Sequence, residues 1–395
     1  MNSPLTKITA KNYRCLADIS VQTNALNVLF GPNGVGKSTF LDTIWFLRDC
    51  AIRGVEFASS DRDHGIGLFW DRAEEQERII IELESTLARY QVSLGYSAGR
   101  IEPFVGEQLV DKKVDNLIIN RIIGSNKALF KIGELEAESN VLKDPEKLAL
   151  TKYVELDQSN AVAAEIDDLL RQVRFYSSRS YPLYKLKKFG SESDYSDRLQ
   201  DRAENLWSVL RNLHDRSVID DRYNTIIQFM REAFPNFENL YFEQTGRLSI
   251  YAYFLDKKRR KPIQASGVSD GHLQLLINLT ALFSEGNNRT LILMDEPETS
   301  LHPWALAVFG KAVKLATEKW NKQVVIATHS PVLLSQFDVE DILAVELDNR
   351  GQTVIKRVSK IVEIQDLLEN YALGSLYMAE MVAPQSQVGM QEEKV

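Results

Sequence analysis

Nine consecutive residues near the N-terminus form a motif of the phosphate-binding P-loop type. They are Gly31, Pro32, Asn33, Gly34, Val35, Gly36, Lys37, Ser38 and Thr39. The apolar run Leu26–Phe30 predicts a buried strand before the motif, and apolar residues at helical spacing over Lys37–Arg48 predict a helix after it. The glycines allow backbone N–H groups to face an anion at the helix start. The motif therefore predicts a nucleoside triphosphate site, with Lys37 on the β- and γ-phosphates and the Ser38 hydroxyl on Mg²⁺.

An acidic pair, Asp295 and Glu296, follows the uninterrupted apolar run Leu291–Met294. Such a run is typical of a central parallel strand that helices cover on both faces. An acid at the end of a core strand can hold Mg²⁺ opposite Ser38, which is the role expected for Asp295. The next acid can polarise the attacking water, which is the role expected for Glu296. A chance Asp-Glu pair is common, but not directly after four apolar residues in a P-loop protein.

A histidine, His329, ends the next predicted core strand. It follows the apolar run Val324–Ala327 and lies within Thr-His-Ser-Pro at 328–331. At a strand end beside the phosphates, an imidazole can hydrogen-bond the γ-phosphate and the attacking water. A purely structural histidine is the alternative.

A second helix start with anion-binding character lies at Val268-Ser269-Asp270-Gly271-His272. The Ser269 side chain and the backbone amides of the helix that follows could bind a phosphate. One nucleotide does not readily use two helix N-termini from distant parts of one chain. Two copies arranged head to tail would solve this, each donating its segment to the γ-phosphate of the other. An ordinary capped helix is the alternative.

Composition and charge exclude several classes of protein. The 395 residues are 44% hydrophobic and carry a net charge of −8, which disfavours a protein that coats nucleic acid but not a local basic patch. Cys15 and Cys50 lack metal-type spacing and favour a reducing compartment. No apolar stretch approaches the roughly 18 residues that span a membrane, and the N-terminus lacks a signal-peptide core. We therefore expect a cytoplasmic protein with no membrane partner.

The segments between these motifs predict a division of the chain. Alternating residues predict two strands before the P-loop strand and an antiparallel sheet up to about residue 138, and the stretch from about 142 to 234 is predicted to be helical. Two strands and a helix through Val362, Ile364, Leu367 and Leu368 are expected near the end. The predicted parts are an N-terminal part of the nucleotide core with the P-loop at 1–50, an antiparallel β lobe at 51–140, a helical insertion lobe at 141–235, a C-terminal part of the core at 236–384 and a flexible tail at 385–395.

Three basic features leave alternatives open. The segment 171–190 carries six cations and no acid, with five aromatic residues between them, and could bind DNA or an effector protein. The alternative is a core-facing aromatic row with cations in solvent or paired to acids. The run Lys257–Lys261 is either a solvated hairpin tip or a phosphate contact, and Arg14 is either near the nucleotide or a charge at a strand edge.

The motifs together resemble the ABC-type ATPases of the RecF, SMC and OLD group. More narrowly, the chain is similar to stand-alone bacterial AAA family ATPases related to OLD nucleases and antiviral-defence ATPases, over nearly its whole length. The resemblance implies an α/β fold: an ABC-type P-loop ATPase head with a mainly parallel core sheet, an antiparallel β lobe and a helical insertion lobe. No heptad pattern persists, so no long coiled coil is expected.

The resemblance also implies bound ATP and Mg²⁺, and a role for each motif residue. Val268 and Asp270-Gly271 replace the leucine and double glycine of the transporter signature, which fits the RecF and OLD side better. Gln91 and Gln108 are candidates for a Q-loop glutamine, although no motif decides between them. The implied roles are phosphate and Mg²⁺ binding by Lys37 and Ser38, Mg²⁺ binding by Asp295, catalytic base for Glu296, switch residue for His329, and action in trans for Ser269 and Gly271.

The function expected is an ATP-dependent dimeric switch. Two ATP molecules would join two protomers, hydrolysis would release them, and the signal would pass to a nuclease-like effector or to DNA in phage defence or repair. The alternatives are a scaffold that binds ATP without hydrolysis and a transporter motor. A hexameric motor is disfavoured because no arginine-finger segment follows the acidic pair. A fused nuclease is disfavoured because about 65 residues follow His329, fewer than a full domain.

Overall fold

The computed structural model of the chain describes residues 5–62, 67–74, 76–97, 100–102, 105–133, 136–144, 146–245, 248–361, 373–379 and 382–383. The strands are β1 (Lys7–Tyr13), β2 (Leu16–Gln22), β3 (Leu26–Phe30), β4 (Ile79–Glu84), β5 (Ala88–Leu94), β6 (Tyr96–Ser97), β7 (Arg100–Ile101), β8 (Gly106–Asp111), β9 (Asn116–Arg121), β10 (Lys127–Phe130), β11 (Glu138–Val141), β12 (Val173–Ser177), β13 (Ser191–Glu192), β14 (Phe237–Gln244), β15 (Ser249–Asp256), β16 (Ile263–Gln264), β17 (Thr290–Asp295), β18 (Lys322–Thr328), β19 (Ile342–Leu347) and β20 (Thr353–Arg357).

The helices, in chain order, are α1 (Lys37–Arg53), α2 (Val55–Ser60), α3 (Ala149–Leu156), α4 (Ala161–Arg171), α5 (Leu183–Lys188), α6 (Leu206–Asp215), α7 (Arg222–Ala233), α8 (Asp270–Phe283), α9 (Pro303–Lys319), α10 (Pro331–Leu334) and α11 (Leu373–Met378). The longest of these, α1 and α9, have 17 residues each, so the described part of the chain contains no long coiled coil. Nor does any described helix combine the length and apolarity that crossing a bilayer requires. The helix predicted through Val362–Leu368 and the tail at 385–395 lie outside the described residues.

The chain folds as two compact units. The first unit contains residues 25–27 and 172–337, and the second contains residues 2–24, 28–171 and 338–395. The domain boundaries predicted at 50, 140 and 235 stay a prediction. The P-loop belongs to the second unit, whereas the acidic pair, His329 and the Ser269 segment belong to the first.

The core of the first unit is a group of parallel strands, with β12 and β18 on either side of β17. Residues 322–328 are buried along the whole of β18, and β17 is buried up to Met294. The prediction of buried parallel strands at 291–294 and 324–327 is confirmed. The purely helical prediction for 142–234 is wrong, because β12 and the short strand β13 lie within it. Strand β12 was not recognised in the sequence because it contains the charged residue Arg174. The Arg174 guanidinium is buried in an ion pair with Glu285 at 2.5 Å.

A smaller antiparallel sheet completes the strands of the first unit. In it β15 pairs with β13, β14 and β16. Strand β14 confirms the strand expected after Pro235. The basic run Lys257–Lys261 connects β15 to β16, and its five side chains are exposed, as expected for a hairpin tip.

The second unit is built on an eight-stranded antiparallel sheet in the order β11-β10-β9-β8-β5-β4-β1-β2. This confirms the antiparallel lobe predicted from alternating apolar residues, and it adds β1 and β2 to the same sheet. Strand β3 pairs in parallel with β19, which pairs in the antiparallel direction with β20. The P-loop strand and the last two strands of the chain are therefore neighbours.

A buried carboxylate, Glu107, joins the antiparallel sheet to helix α3. It forms an ion pair with Arg121 at 3.2 Å, and both side chains are 0% exposed. It also accepts hydrogen bonds from the Tyr90 hydroxyl at 2.8 Å and from the backbone N–H groups of Ala149 at 2.5 Å and Leu150 at 3.2 Å. The two N–H groups are at the start of α3, where intrahelical partners are missing. The Glu107 side chain thus accepts hydrogen bonds from the start of α3 and is the counterion of buried Arg121.

Replacing this carboxylate should destabilise the protein strongly. Glu107→Ala leaves the Arg121 charge buried without its carboxylate, which costs about 3–5 kcal/mol when a buried pair is broken. Urea unfolding followed by circular dichroism measures the loss. Glu138→Ala, at an exposed position of β11 in the same sheet, is the matched control and should change stability by about 0.5 kcal/mol or less. Equal stability of the two variants would contradict the structural role of Glu107.

Candidate functional site

The predicted phosphate-binding loop connects β3 to α1 in the second unit, and α1 begins at Lys37 as the sequence predicts. Lys37 is buried, and its Nζ donates to the carbonyl oxygens of Gly31 at 2.8 Å and Pro32 at 2.7 Å. The ammonium therefore lies against the loop backbone beside a helix N-terminus. The positive charge of the ammonium attracts phosphate. The helix N-terminus does so too, because its first N–H groups lack intrahelical partners and carry partial positive charge. Ser38 is the second residue of the helix.

The loop is supported from behind by Thr353, the first residue of β20. Its hydroxyl donates to the carbonyl of Val35 at 2.9 Å. Gly36 has φ of +106°, and a Cβ there would lie 2.9 Å from the Thr353 hydroxyl oxygen. A side chain at Gly36 would therefore be strained in its backbone and crowded by Thr353. Sequence analysis missed Thr353 because it comes more than 300 residues after the loop and carries no motif.

The acidic pair ends β17 in the first unit. Register places Asp295 between Ser177 of β12 and Ala327 of β18, so three strand ends meet there. Glu296 follows with φ of +50°, and its N–H donates to the Ala327 carbonyl at 2.9 Å. Left-handed backbone is uncommon for a glutamate and reverses the chain immediately after the strand. The Glu296 carboxylate is consequently held at the edge where the strands end.

Two basic groups face the Glu296 carboxylate. Arg179 donates to one oxygen through Nε at 2.8 Å and to the other through Nη2 at 2.6 Å. Nδ1 of His329 lies 3.8 Å from the same carboxylate. The structure therefore brings the predicted base and the predicted switch histidine together. Arg179 was missed as a partner of Glu296, since it appeared only as one cation of the segment 171–190.

A buried acid, Glu298, organises the strand end that carries His329. Its Oε1 accepts hydrogen bonds from the Thr328 hydroxyl at 2.7 Å and from the backbone N–H of His329 at 3.0 Å. Nδ1 of His329 is 3.5 Å from the same oxygen. Glu298 therefore fixes the backbone on which the histidine sits. The sequence held a signal for it, namely a second glutamate two residues after the acidic pair.

The Ser269 segment forms the start of α8, and Ser269 is its exposed N-cap residue. Its hydroxyl lies 2.8 Å from Nδ1 of His272, whose ring stacks on Phe234 with centroids 3.7 Å apart. Burial, and secondly the charge of Lys187, lower the pKa of His272 below its ordinary value. The lowered pKa favours the neutral imidazole, whose Nδ1 donates to or accepts from the Ser269 hydroxyl according to its tautomer.

Close packing joins α8 to the segment that follows the acidic pair. A Cβ at Gly271 would lie 2.6 Å from the carbonyl oxygen of Ser300, so no larger residue fits without displacement. Farther along α8, the buried Asn278 amide donates to the Pro297 carbonyl at 2.9 Å. Helix α8, which carries Gly271, is therefore packed against the segment that follows Glu296 within the first unit.

The basic segment 171–190 is mostly paired with acids, which was the alternative to a nucleic-acid surface. Exposed Lys185 and Lys188 remain beside two aromatic side chains, Tyr184 (68% exposed) and Phe189 (59% exposed). Nζ of Lys188 lies 5.3 Å from each ring centroid. The four ion pairs in the segment are Arg171–Asp167, Arg174–Glu285, Arg179–Glu296 and Lys187–Asp270.

Three other candidates lie in the antiparallel sheet of the second unit or at its edge. Gln91 and Gln108 lie opposite each other in the middle of β5 and β8, within the antiparallel sheet, so neither follows a parallel strand. Arg14 lies 3.4 Å from Asp42 of α1 in an ion pair. In the first unit, the segment that follows the parallel strand β12 carries Arg179 rather than a glutamine.

Comparison with known proteins identifies a family for this chain. The model of the family described as "AAA domain, putative AbiEii toxin, Type IV TA system" matches residues 26–109 and 135–335. Protein ea59 of Escherichia phage lambda is 38% identical over 317 residues, which cover 80% of this chain and 47% of ea59. Endonuclease GajA of Bacillus cereus is 24% identical over 365 residues, covering 84% of this chain and 56% of GajA. The chain thus spans about half the length of these two relatives.

A solved structure shares the fold. The Smc head bound to the C-winged helix domain of ScpA matches with a TM-score of 0.51 and 12% identity, over 90% of this chain and 99% of the other. The fold is that of an SMC and ABC-type ATPase head, as the sequence resemblance predicted.

Proposed function

Since the chain belongs to the AAA-domain family whose model matches it, within the RecF-, SMC- and OLD-like ABC-type ATPases, we propose that it binds and hydrolyses ATP as a dimeric switch. The observation that carries the proposal is the carboxylate of Glu296, held at the meeting point of three parallel strand ends with His329 beside it. Such a carboxylate is placed to take a proton from a reacting water.

The predicted site residues fit MgATP by their chemistry. A buried ammonium, Lys37, and the start of α1 suit the phosphates, and the Ser38 hydroxyl and Asp295 carboxylate are hard oxygen ligands of the kind Mg²⁺ prefers. The bound ion would neutralise charge on the phosphate oxygens. In this proposal Glu296 orients the attacking water and accepts its proton, and His329 holds the water and the γ-phosphate by hydrogen bonds.

The composite site is proposed to need two copies. Ser269 is exposed at the start of α8, and Gly271 couples that helix to the loop of Glu296 through Ser300. When Ser269 of one protomer binds a phosphate held by the other protomer, the contact would therefore act on the loop that carries Glu296 in the same protomer as Ser269. We propose a homodimer in which ATP joins two protomers head to tail.

The output of the switch is proposed to be a nuclease-like effector or DNA, in phage defence or repair. One relative is named an endonuclease, and this chain spans 56% of it. A small candidate surface for nucleic acid is the exposed group Tyr184, Lys185, Lys188 and Phe189 on and after α5, which we call the α5 patch. Exposed rings offer stacking, and the two ammonium groups offer phosphate contacts.

Removing the proposed base should stop turnover without preventing binding. Glu296→Gln keeps the shape of the side chain but cannot accept the proton, so hydrolysis should fall by about 100-fold or more. ATP affinity, measured by titration calorimetry, should persist, and ATP-bound dimer should accumulate. Lys37→Ala is the contrasting variant, because it should weaken binding itself. Hydrolysis at the parent rate in Glu296→Gln would place the base elsewhere, and a parent without hydrolysis would favour the scaffold alternative.

Blocking the second helix start should prevent dimer formation. Ser269→Arg adds bulk and charge at the proposed contact, so it should bind ATP as a monomer and fail to dimerise in sedimentation velocity runs with ATP. Gln228→Arg introduces the same group at an exposed position of α7 and should dimerise like the parent. A mixture of Ser269→Arg with Lys37→Ala should restore at most one working site per dimer. An ATP-induced dimer of Ser269→Arg would refute the head-to-tail arrangement.

Charge reversal in the α5 patch tests for DNA. Lys185→Glu with Lys188→Glu should weaken binding to duplex of any sequence and flatten its salt dependence, because counterion release falls with each lost phosphate contact. Fluorescence anisotropy at low salt with ATP present measures the affinity. The matched control, Lys143→Glu with Lys319→Glu, reverses two exposed lysines elsewhere. Equal affinity of both double variants would remove the α5 patch from the DNA proposal.

A further inference from the structure

The strand register of the first unit places Arg179 beside Glu296. Strands β12 and β17 run in parallel with Ser177 opposite Asp295, so the residues that follow each strand emerge at the same edge. Arg179 comes two residues after Ser177, and Glu296 comes one residue after Asp295. A single turn of 3₁₀ helix over Ser178–Ser180 brings the Arg179 side chain round to the carboxylate. The pairing therefore follows from topology as well as from side-chain reach.

The ion pair occupies the carboxylate on both oxygens. Two parallel N–H···O bonds of 2.8 and 2.6 Å make a bidentate contact, which is the strongest geometry that arginine offers a carboxylate. The Glu296 side chain is 12% exposed, whereas that of Arg179 is 70% exposed. The glutamate is fixed in place while the arginine lies at the surface, with room to move away.

A carboxylate held in this way is closed to water. A general base must come within hydrogen-bond reach of the reacting water, and a guanidinium bound to both oxygens blocks that approach. The other groups close to Glu296 do not offset this effect: His329 adds a second basic group at 3.8 Å, and Glu298 is engaged by Thr328 and the His329 backbone.

We propose that Arg179 is a latch that keeps Glu296 inactive, and that binding of a nucleoside triphosphate shifts the latch toward its open state. This inference rests on the proposed role of Glu296 as the base. Arg179 acts through Glu296 and is a positioning residue. A triphosphate brings several negative charges and Mg²⁺, which compete for the guanidinium and the carboxylate respectively. Binding would thus shift the pair toward separation and free the carboxylate for water, and hydrolysis would be slow in the fraction of loaded protein whose pair stays closed.

Release of the latch should raise basal hydrolysis. Arg179→Gln keeps a polar side chain of similar reach but removes the charge, so turnover at saturating ATP should increase by about two- to fivefold, the factor that a partly exposed charge pair carries, while ATP binding persists. Arg202→Gln, at an exposed arginine of the same unit, should hydrolyse like the parent. The gain should vanish in the double variant Arg179→Gln with Glu296→Gln. A rate equal to or below the parent in Arg179→Gln, with normal ATP binding, would overturn the latch.

A second measurement does not depend on turnover. In protein with isotope-labelled arginine, the Nε–Hε resonance of Arg179 should be protected from exchange in the parent and lost in Glu296→Gln. Adding a non-hydrolysable ATP analogue with Mg²⁺ to the parent should reduce that protection, whereas Arg202 supplies an unaffected reference signal. Protection that is equal with and without the analogue would overturn the latch. Failure of the proposed function has a different signature, in which Glu296→Gln hydrolyses at the parent rate while the resonance behaves as described.

Discussion

The parallel register of β12, β17 and β18 is the constraint on which the chemistry of the first unit depends. Because Ser177, Asp295 and Ala327 lie side by side, whatever follows each strand must gather at one edge. The left-handed backbone of Glu296 and its bond to the Ala327 carbonyl then fix where the carboxylate lies. Arginine, glutamate and histidine meet there although they are far apart in the chain. The sheet thus supplies proximity, and the turns supply orientation.

Contacts between distant segments also support the phosphate loop and the antiparallel sheet of the second unit. Thr353 comes more than 300 residues after the loop and supports it by a hydrogen bond, and Glu107 links the start of a helix to a buried arginine. In both cases one side chain satisfies backbone groups that would otherwise be costly to bury. The precision of the loop therefore depends on residues that make no contact with phosphate in the proposed mechanism.

Sequence alone predicted the features that local patterns determine. The P-loop with its strand and helix, the two buried parallel strands and the antiparallel lobe were all recognisable because spacing and apolar periodicity report local structure directly. Strand β12 was missed, since Arg174, its second residue, is compatible with a buried strand only through Glu285, more than 100 residues away. Arg179 and Thr353 were missed for the same reason: their partners are set by tertiary pairing. The segment 171–190 looked like a cationic surface because its acidic partners lie elsewhere in the chain.

The positive φ of Glu296 carries an evolutionary consequence. Glycine or asparagine would relax that backbone, and strain of this kind costs on the order of 1–3 kcal/mol. Selection for thermal stability alone would therefore tend to remove the acid from this position, and only selection for what its carboxylate does would retain it. A stabilised library of this protein would be expected to accumulate inactive members whose substitutions cluster at this one turn. The fold thus tolerates a weak point at the position of the proposed base.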